Sequence, residues 1–323
     1  MQTAQRSVLL LLALLTSPPL YAQDAASYPI KSVRVIVPFP AGGGLDYVAR
    51  LVGQRLGSEL KQTFVMENRP GAGGNIGTEI VAKAPADGYT LLIVSNSFAI
   101  NPSLYKKIPY DPVKDFEPVS LLTSYMMYLV CHPSVPVRDL KSLMSLARNK
   151  PEFFQYASAG AGTTTHMAGE LFASMTGLKM THVPYRGTAP SLTALMGGEV
   201  ALSFGSAASV PHIKTGRMVL IAVSGKNRSP HFPNVPTIAE AGVPGYEASG
   251  WNAVFAPSGT PAAIVKRLNE ATVKGLKHSD AVKVIERQDL ELEASSPEGL
   301  AQKVQIDYTK WSKIIKSAGI EQH

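Results

Sequence analysis

The sequence contains almost no cysteine, because Cys131 is the single one among its 323 residues. An internal disulfide is therefore excluded, and the apolar neighbours of Cys131 favour a buried structural thiol over a reactive one. The folded state must be stabilised by its core instead. The composition fits this, since 45% of the residues are hydrophobic and 17% are charged.

The usual signatures of catalysis are also missing. The chain has no G-x-S-x-G elbow, no lysine after a phosphate-binding glycine loop, and no H-E-x-x-H or C-x-x-C pair. The glycines of GAGGNIG, residues 71–77, have the wrong spacing for dinucleotide binding, and the seven histidines are dispersed. We therefore expect no catalytic residues, no metal site and no cofactor. An enzyme stays open as the least favoured alternative, because catalytic triads assemble from distant residues.

No apolar run is long enough to cross a membrane. Arg6 is followed by an apolar stretch, 8–15, and then by a polar stretch with prolines, 16–23, which is typical of a secretory signal peptide. Eight residues span only about 12 Å as a helix, far less than a bilayer core. We expect residues 1–22 to be removed after Ala22 and the mature chain to work in the periplasm.

The charge pattern argues against nucleic-acid binding. Lys and Arg together exceed Asp and Glu by seven, but the basic residues are scattered and are not interleaved with aromatic ones. A mild positive field of this kind suits an anionic small molecule. We expect a monomer that binds no nucleic acid.

Short apolar or β-branched runs alternate with helix-like stretches, which is typical of βαβ units around parallel sheets. The runs that predict strands are 33–39, 63–68, 89–95, 154–160 and 219–224. They are nearly continuous in apolar character, as expected of strands with helices on both faces. The sequence therefore predicts an α/β fold.

The length of the mature chain, about 300 residues, favours two domains over one. Two further extended stretches, 120–133 and 250–257, would carry the chain from one lobe to the other and back. We predict one domain from 28–124 and 250–323, and a second from 125–249. The helix-rich C-terminal part, 262–320, is expected to pack on the first domain.

Two predicted helices start directly after glycine-rich turns. The first follows Gly42, Gly43 and Gly44 and carries an apolar stripe at helical spacing from Leu45 to Leu56. The second follows SAGAGTTTH, residues 158–166. The unpaired N–H groups and the dipole of a helix start attract anions, and carboxylate is as suitable as phosphate. Both turns are therefore candidate carboxylate sites, and ordinary tight turns with helix caps are the alternative.

Three charged or titratable residues near these turns each allow two interpretations. Asp46 and His166 stand in the first turn of their helices, where each either contacts a ligand or serves the helix itself. Arg186 is either a carboxylate clamp or a solvated turn residue. The sequence leaves these alternatives open.

Several segments resemble a known family, and they occur in the family's order. The chain is similar to the Bug/TctC-like periplasmic solute-binding proteins of tripartite tricarboxylate transporters, from residue 28 to the end. The segments are YPIKSVRVIVPFPAGGGLDYVARLVG, ENRPGAGGNIGTEIVAKAPADGYTLL, AGAGTTTHMAGELF, VPYRGTAPSLTALMGGEV, SPHFPNVPTIAEAGVPGYE and APSGTPAAIVKRLN. The resemblance implies a two-lobed type II periplasmic-binding-protein fold, with two crossover strands and a ligand cleft between the domains.

The resemblance also implies how a ligand is held. Backbone amides and water at loop 40–44 would bind its carboxylate, and segments 95–97 and 160–165 would line the same cleft. Family members commonly carry an Asp near Gly205 and Ser206, and its absence here argues against an amino-acid ligand. The candidate ligand-binding residues are Pro40, Ala41, Gly42, Gly43, Gly44, Asp46, Ser95, Asn96, Ser97, Gly160, Gly162, Thr163, Thr164, Thr165 and Ser206.

The implied function is that of an exported receptor without catalytic activity. It would capture a small organic carboxylate and deliver it, in a transient complex, to integral-membrane transporter subunits. A loaded receptor that reports to the outer domain of a sensor kinase is the alternative.

Overall fold

The computed structural model describes residues 27–150, 153–317, 319–320 and 322. The predicted signal peptide, 1–22, and its cleavage site after Ala22 lie outside the described residues. The strands are β1 (Val33–Val37), β2 (Phe64–Asn68), β3 (Thr90–Ser95), β4 (Phe116–Met126), β5 (Tyr128–Cys131), β6 (Gln155–Ser158), β7 (Thr181–Pro184), β8 (Leu202–Gly205), β9 (Val219–Val223), β10 (Ser249–Pro257) and β11 (Glu291–Leu292). The α-helices are α1 (Gly44–Leu60), α2 (Asn75–Ala82), α3 (Ser97–Leu104), α4 (Leu140–Asn149), α5 (Thr164–Thr176), α6 (Thr188–Met196), α7 (Val210–Lys214), α8 (Ala262–Leu276), α9 (Ser279–Arg287) and α10 (Pro297–Ser317).

These strands form two sheets, which confirms the predicted α/β fold. The first sheet has the order β11-β4-β10-β3-β1-β2, in which β2, β1 and β3 run parallel and β10 is antiparallel to both β3 and β4. The second has the order β7-β6-β8-β5-β9, in which β7, β6 and β8 run parallel and β5 is antiparallel to both neighbours. We call the parts of the chain around these two sheets the first lobe and the second lobe.

Both faces of each sheet are buried, as the continuous apolar character of the strands predicts. In β1, Val35 and Val37 belong to one core cluster, and Ile36 belongs to the cluster on the opposite face. The predicted apolar stripe of α1 packs into the first of these clusters through Val48 and Val52. In β5, Cys131 is fully buried, and this burial raises the pKa of its thiol to about 11. Cys131 is thus the buried structural thiol that its neighbours indicate.

The chain passes between the sheets at two points that lie side by side. The predicted extended stretch 120–133 is divided into β4 and β5 by Met127, and the return passage leads from β9 to β10. Ser224 ties the two passages together: its N–H donates to Met127 O (2.8 Å), and its hydroxyl accepts from Met127 N (2.7 Å) and donates to Ala248 O. Ser224 is fully buried, so these bonds form a clamp between the lobes.

The last helix, α10, contacts both lobes. Near its start, Leu300 and Val304 pack into the cluster around Trp251 in the first lobe. Near its end, Trp311 and Ile315 belong to a cluster that includes residues of β5 and β8. A helix of 21 residues is about 30 Å long, so it extends beyond the lobe in which it begins. The predicted limits of the domains remain a prediction. None of the described helices combines the length and apolar character needed to cross a bilayer.

Candidate ligand-binding cleft

The candidate residues leave their sheets at the ends of parallel strands. Strands β1 and β3 are parallel neighbours, so the loop before α1 and the segment 95–97 emerge at the same edge of the first sheet. Strands β6 and β8 are parallel neighbours in the second sheet, so loop 159–163 and Ser206 emerge together there. Open α/β sheets bind ligands at such edges.

In the first lobe, Asp46 braces the glycine turn from within. Its Oδ2 accepts hydrogen bonds from the backbone N–H of Gly42 and from Nε of Arg50, both at 2.9 Å. Its Oδ1 accepts from Nδ2 of Asn68 at 3.0 Å, and the same amide group donates to the carbonyl of Phe39 at 3.0 Å. Since Asp46 is only 4% exposed, its carboxylate serves the loop itself.

These contacts also set the charge state of Asp46. Burial by itself acts to raise the pKa of this carboxyl group. The hydrogen bonds from Arg50, from the Gly42 backbone and from Asn68 outweigh burial, and the pKa lies below its ordinary value. Asp46 is therefore ionised at neutral pH.

The turn 40–44, which Asp46 holds in place, exposes backbone groups rather than long side chains. Gly42 has φ +81°, which glycine adopts without strain, and Gly43 is the N-terminal cap of α1 in an extended conformation. The first N–H groups of a helix have no partner within it. Pro40, Ala41, Gly42 and Gly44 are exposed, so this helix start is open to a ligand.

The second glycine turn is held by threonine hydroxyls. The Thr163 hydroxyl donates to the carbonyl of Gly160 (2.7 Å), and its oxygen caps α5 by accepting from the N–H of His166 (3.4 Å). The Thr165 hydroxyl accepts from the N–H of Ala159 at 2.9 Å. Gly160 and Gly162 have φ of +129° and +76°. The hydroxyls of Thr163 and Thr165 therefore shape the turn.

His166 also has a role within the second lobe. Its Nδ1 accepts from the N–H of Gly162 at 3.2 Å, and its ring stacks on that of His182 with 3.9 Å between the ring centroids. The side chain of Arg186, in contrast, lies on an exposed turn. The contacts of His166 favour the structural interpretation of this residue.

The two lobes meet at Asn96 and Thr164. Thr164 Oγ1 donates a hydrogen bond to Oδ1 of Asn96, and the hydroxyl of Tyr125 lies 3.3 Å from Thr164 Oγ1. Asn96 is fully buried, yet its Nδ2 has no hydrogen-bond partner among the described residues. Ser95 and Ser97 flank it, with 3.1 Å between their hydroxyl oxygens. A buried amide donor without an acceptor is costly, and a ligand oxygen would satisfy it.

The end of β8 is closely packed around Gly205. A Cβ added to Gly205 would lie 2.0 Å from Oγ of Ser209, so a larger residue at this position requires Ser209 to move. Ser206 is half-buried and follows directly at the edge of the second sheet. Among the described residues, no group of three or more His, Cys, Asp and Glu could hold a metal ion.

A third glycine turn, 71–74, faces the second lobe and was not predicted from the sequence. A Cβ on Gly73 would lie 3.2 Å from the carbonyl oxygen of Ala161 in the second lobe. The Gly73 carbonyl accepts from Nδ2 of Asn101 at 3.0 Å, and the same nitrogen lies 2.7 Å from Oδ1 of Asn75. The pattern of strand β2, glycine run and helix α2 repeats that of the two predicted loops, and it could have indicated this one.

Three solved structures resemble this chain over nearly its whole length. Rpa4515 of R. palustris, solved with adipate, is 38% identical with a TM-score of 0.86, and the match covers 92% of this chain and 100% of that one. The periplasmic binding protein BugD is 34% identical with a TM-score of 0.85 and the same coverage. MatC of Rhodopseudomonas palustris, solved with malate, is 33% identical with a TM-score of 0.83, covering 89% of this chain and 100% of that one.

The family assignment agrees with these structures. Residues 48–320 match the family described as TctC, the tripartite tricarboxylate transporter family receptor. This range includes the whole second sheet, the first sheet apart from β1, and the segments 95–97 and 160–165. The chain therefore belongs to the TctC family of tripartite tricarboxylate transporter receptors.

Proposed function

We propose that this chain is an exported solute-binding receptor that captures a small organic carboxylate between its two lobes. The buried Nδ2 of Asn96 carries the proposal, because it is a hydrogen-bond donor without an acceptor at the point where the lobes meet. An anionic oxygen is the strongest acceptor for such a donor.

The remaining donors for the ligand come from the backbone. The open start of α1 offers N–H groups and the positive end of a helix dipole, and the start of α5 offers a second set. Two such donor sets suit a molecule with two carboxylates, and the relatives solved with adipate and with malate support this ligand class. Positions 205 and 206 are Gly and Ser, so neither offers a carboxylate that could bind an amino group. This argues against an amino-acid ligand.

We propose that the receptor delivers its ligand for transport and does not convert it chemically. Membership of a receptor family of tripartite tricarboxylate transporters supports delivery to membrane subunits of such a system. The signal-peptide pattern before residue 23 and the similarity to a periplasmic binding protein support a periplasmic location.

Thermal unfolding of the mature chain with a ligand panel tests this proposal. Adipate, malate and succinate are compared with their diamides and with glucose. A ligand at about 100 times its Kd stabilises the folded state by roughly 2.7 kcal/mol, which raises the Tm by several degrees. We expect shifts for one or more of the carboxylates and none for the diamides. Equal shifts for the diamides, shifts for glucose alone, or conversion of the bound compound would overturn the proposal.

A further inference from the structure

A cavity of about 510 Å³ lies between the lobes, away from the glycine turns. One wall is the end of β4, a second is formed by α9 and β11 of the first lobe, and a third by residues 230–231 of the second lobe. Its lining includes Tyr125, His231, Glu286, Asp289 and Glu291. A volume in this range fits a small-molecule site, for which about 300 to 1,000 Å³ is usual.

The charged side chains that line this cavity are mostly acidic, whereas the chain as a whole is basic. Most of its walls are apolar, and the ionisable groups that line it are three carboxylates, of Glu286, Asp289 and Glu291, with the imidazole of His231 and the phenol of Tyr125. The chain as a whole carries a formal net charge of +7. A largely apolar cavity lined by three carboxylates favours cations over the anions that suit the glycine turns.

Asp289 provides the specific contact. Its side chain is 8% exposed, and Oδ1 lies 3.3 Å from Nε2 of His231 across the gap between the lobes. Its other oxygen, Oδ2, is buried and accepts no hydrogen bond from any described residue. Burial and the neighbouring Glu291 raise the pKa of Asp289 to about 7. A cation beside Asp289 would stabilise the ionised carboxylate, and a turn of the side chain toward the cavity would let Oδ2 accept an N–H from that cation.

We propose that this cavity is a second binding site, which takes a small organic cation with an N–H donor group and an apolar body. An ammonium or guanidinium group would bind Asp289, and the apolar body would pack against the side chains of α9 and β11.

The second site shares a wall with the carboxylate cleft. Tyr125 lines the cavity, and its hydroxyl lies 3.3 Å from Oγ1 of Thr164 at the meeting point of the lobes. The ring packs over Gly250, where an added Cβ would lie 2.3 Å from the ring. A cation that binds Asp289 would change its contact with His231 between the lobes, and it would therefore act on the same closure that holds the proposed carboxylate ligand.

Calorimetric titration of the mature protein with benzylammonium tests the second site, and benzyl alcohol serves as the neutral probe of the same shape. We expect benzylammonium to bind at millimolar concentration or below and benzyl alcohol to bind at least about tenfold more weakly. Asp289→Asn keeps the shape and tolerates the φ of +54° at this position, and it should weaken benzylammonium by at least about tenfold. The exposed control Glu270→Gln should leave the affinity unchanged.

A pH series on the unmodified protein gives a second readout that needs no variant. Affinity for benzylammonium should rise as the pH increases through about 7, because ionisation of Asp289 creates the attractive charge. The other titratable groups that line the cavity are Glu286, Glu291, His231 and Tyr125. No binding of benzylammonium, equal binding of benzyl alcohol, full affinity of a folded Asp289→Asn protein, or a flat pH profile would each overturn the proposal. The carboxylate panel is a separate test, so each proposal can fail without the other.

Discussion

The hydroxyl of Thr164, in the first turn of α5, donates a hydrogen bond to the side-chain carbonyl of Asn96 at the end of β3. The two residues belong to different lobes and are separated by 68 positions in the sequence. The bond forms only when the two sheet edges are close, so it links the stability of this arrangement of the lobes to two residues of the proposed ligand cleft.

Removing this bond should weaken ligand binding without unfolding either lobe. Thr164→Val keeps the shape of the side chain but leaves Oδ1 of Asn96 without its donor, which costs about 1 to 3 kcal/mol in the closed form. We expect the Kd for the carboxylate to rise about tenfold in calorimetry. Thr176→Val, on the same helix, removes only bonds to the Phe172 and Ala173 carbonyls of that helix and should leave the Kd unchanged. Equal effects of the two variants would contradict a closing role for Thr164.

Replacing the Asn96 amide by a carboxylate tests the unpartnered donor directly. Asn96→Asp keeps an oxygen acceptor for Thr164, removes the Nδ2 donor and places a negative charge beside the ligand. The loss of a charge-assisted bond and the new repulsion should raise the carboxylate Kd by at least about a hundredfold at neutral pH. Asn227→Asp makes the same charge change on an exposed loop and serves as the control. Unchanged affinity of Asn96→Asp would exclude the amide as a ligand contact.

The stabilisation that Asp46 provides should depend on pH. Its folded-state pKa lies below the ordinary value of 3.8, so its contribution is complete above that value and is lost as the pH falls through the folded-state pKa. At neutral pH, Asp46→Asn should lower the free energy of unfolding by about 1 to 3 kcal/mol, and in acid the two proteins should converge. Urea unfolding at several pH values measures this. The surface variant Glu79→Gln serves as the control and should change the free energy of unfolding by less than about 1 kcal/mol. If Asp46→Asn lost the same stability at every pH, the ionised Asp46 carboxylate would not be the source of the stabilisation.

The clamp between the crossover passages predicts a stability effect at Ser224. Ser224→Ala removes the hydroxyl that accepts from Met127 N and donates to Ala248 O, and leaves these buried groups unpaired. We expect the free energy of unfolding to fall by about 1 to 3 kcal/mol in urea. Ser58→Ala removes an exposed hydroxyl on α1 and should change stability by less than about 0.5 kcal/mol. A loss as small as that of the control would show that the clamp does not stabilise the fold.

Local patterns were sufficient to predict much of this molecule. The apolar stripe from Leu45 to Leu56 predicted α1, and the β-branched runs predicted β1 and β3 within two residues of their limits. Local patterns did not predict which strands lie next to each other in a sheet. Strand β8, with only four residues, and strand β11, with two, were missed, because such short segments are defined by the neighbours with which they pair.

The sequence by itself determined where helices begin, where the backbone needs glycine, and that the strands are buried on both faces, because these properties depend on residues close together in the chain. Only the tertiary structure decided that Asp46 serves the loop and that Asn96 reaches Thr164. It alone also placed Tyr125 between the cleft and a second, acidic cavity. Asp46 reaches Asn68, which is 22 positions away in the sequence. Asn96 and Tyr125 lie 68 and 39 positions from Thr164, and they stand on the other lobe. Their distance depends on how two separately folded sheets are held together, which no local period or spacing encodes.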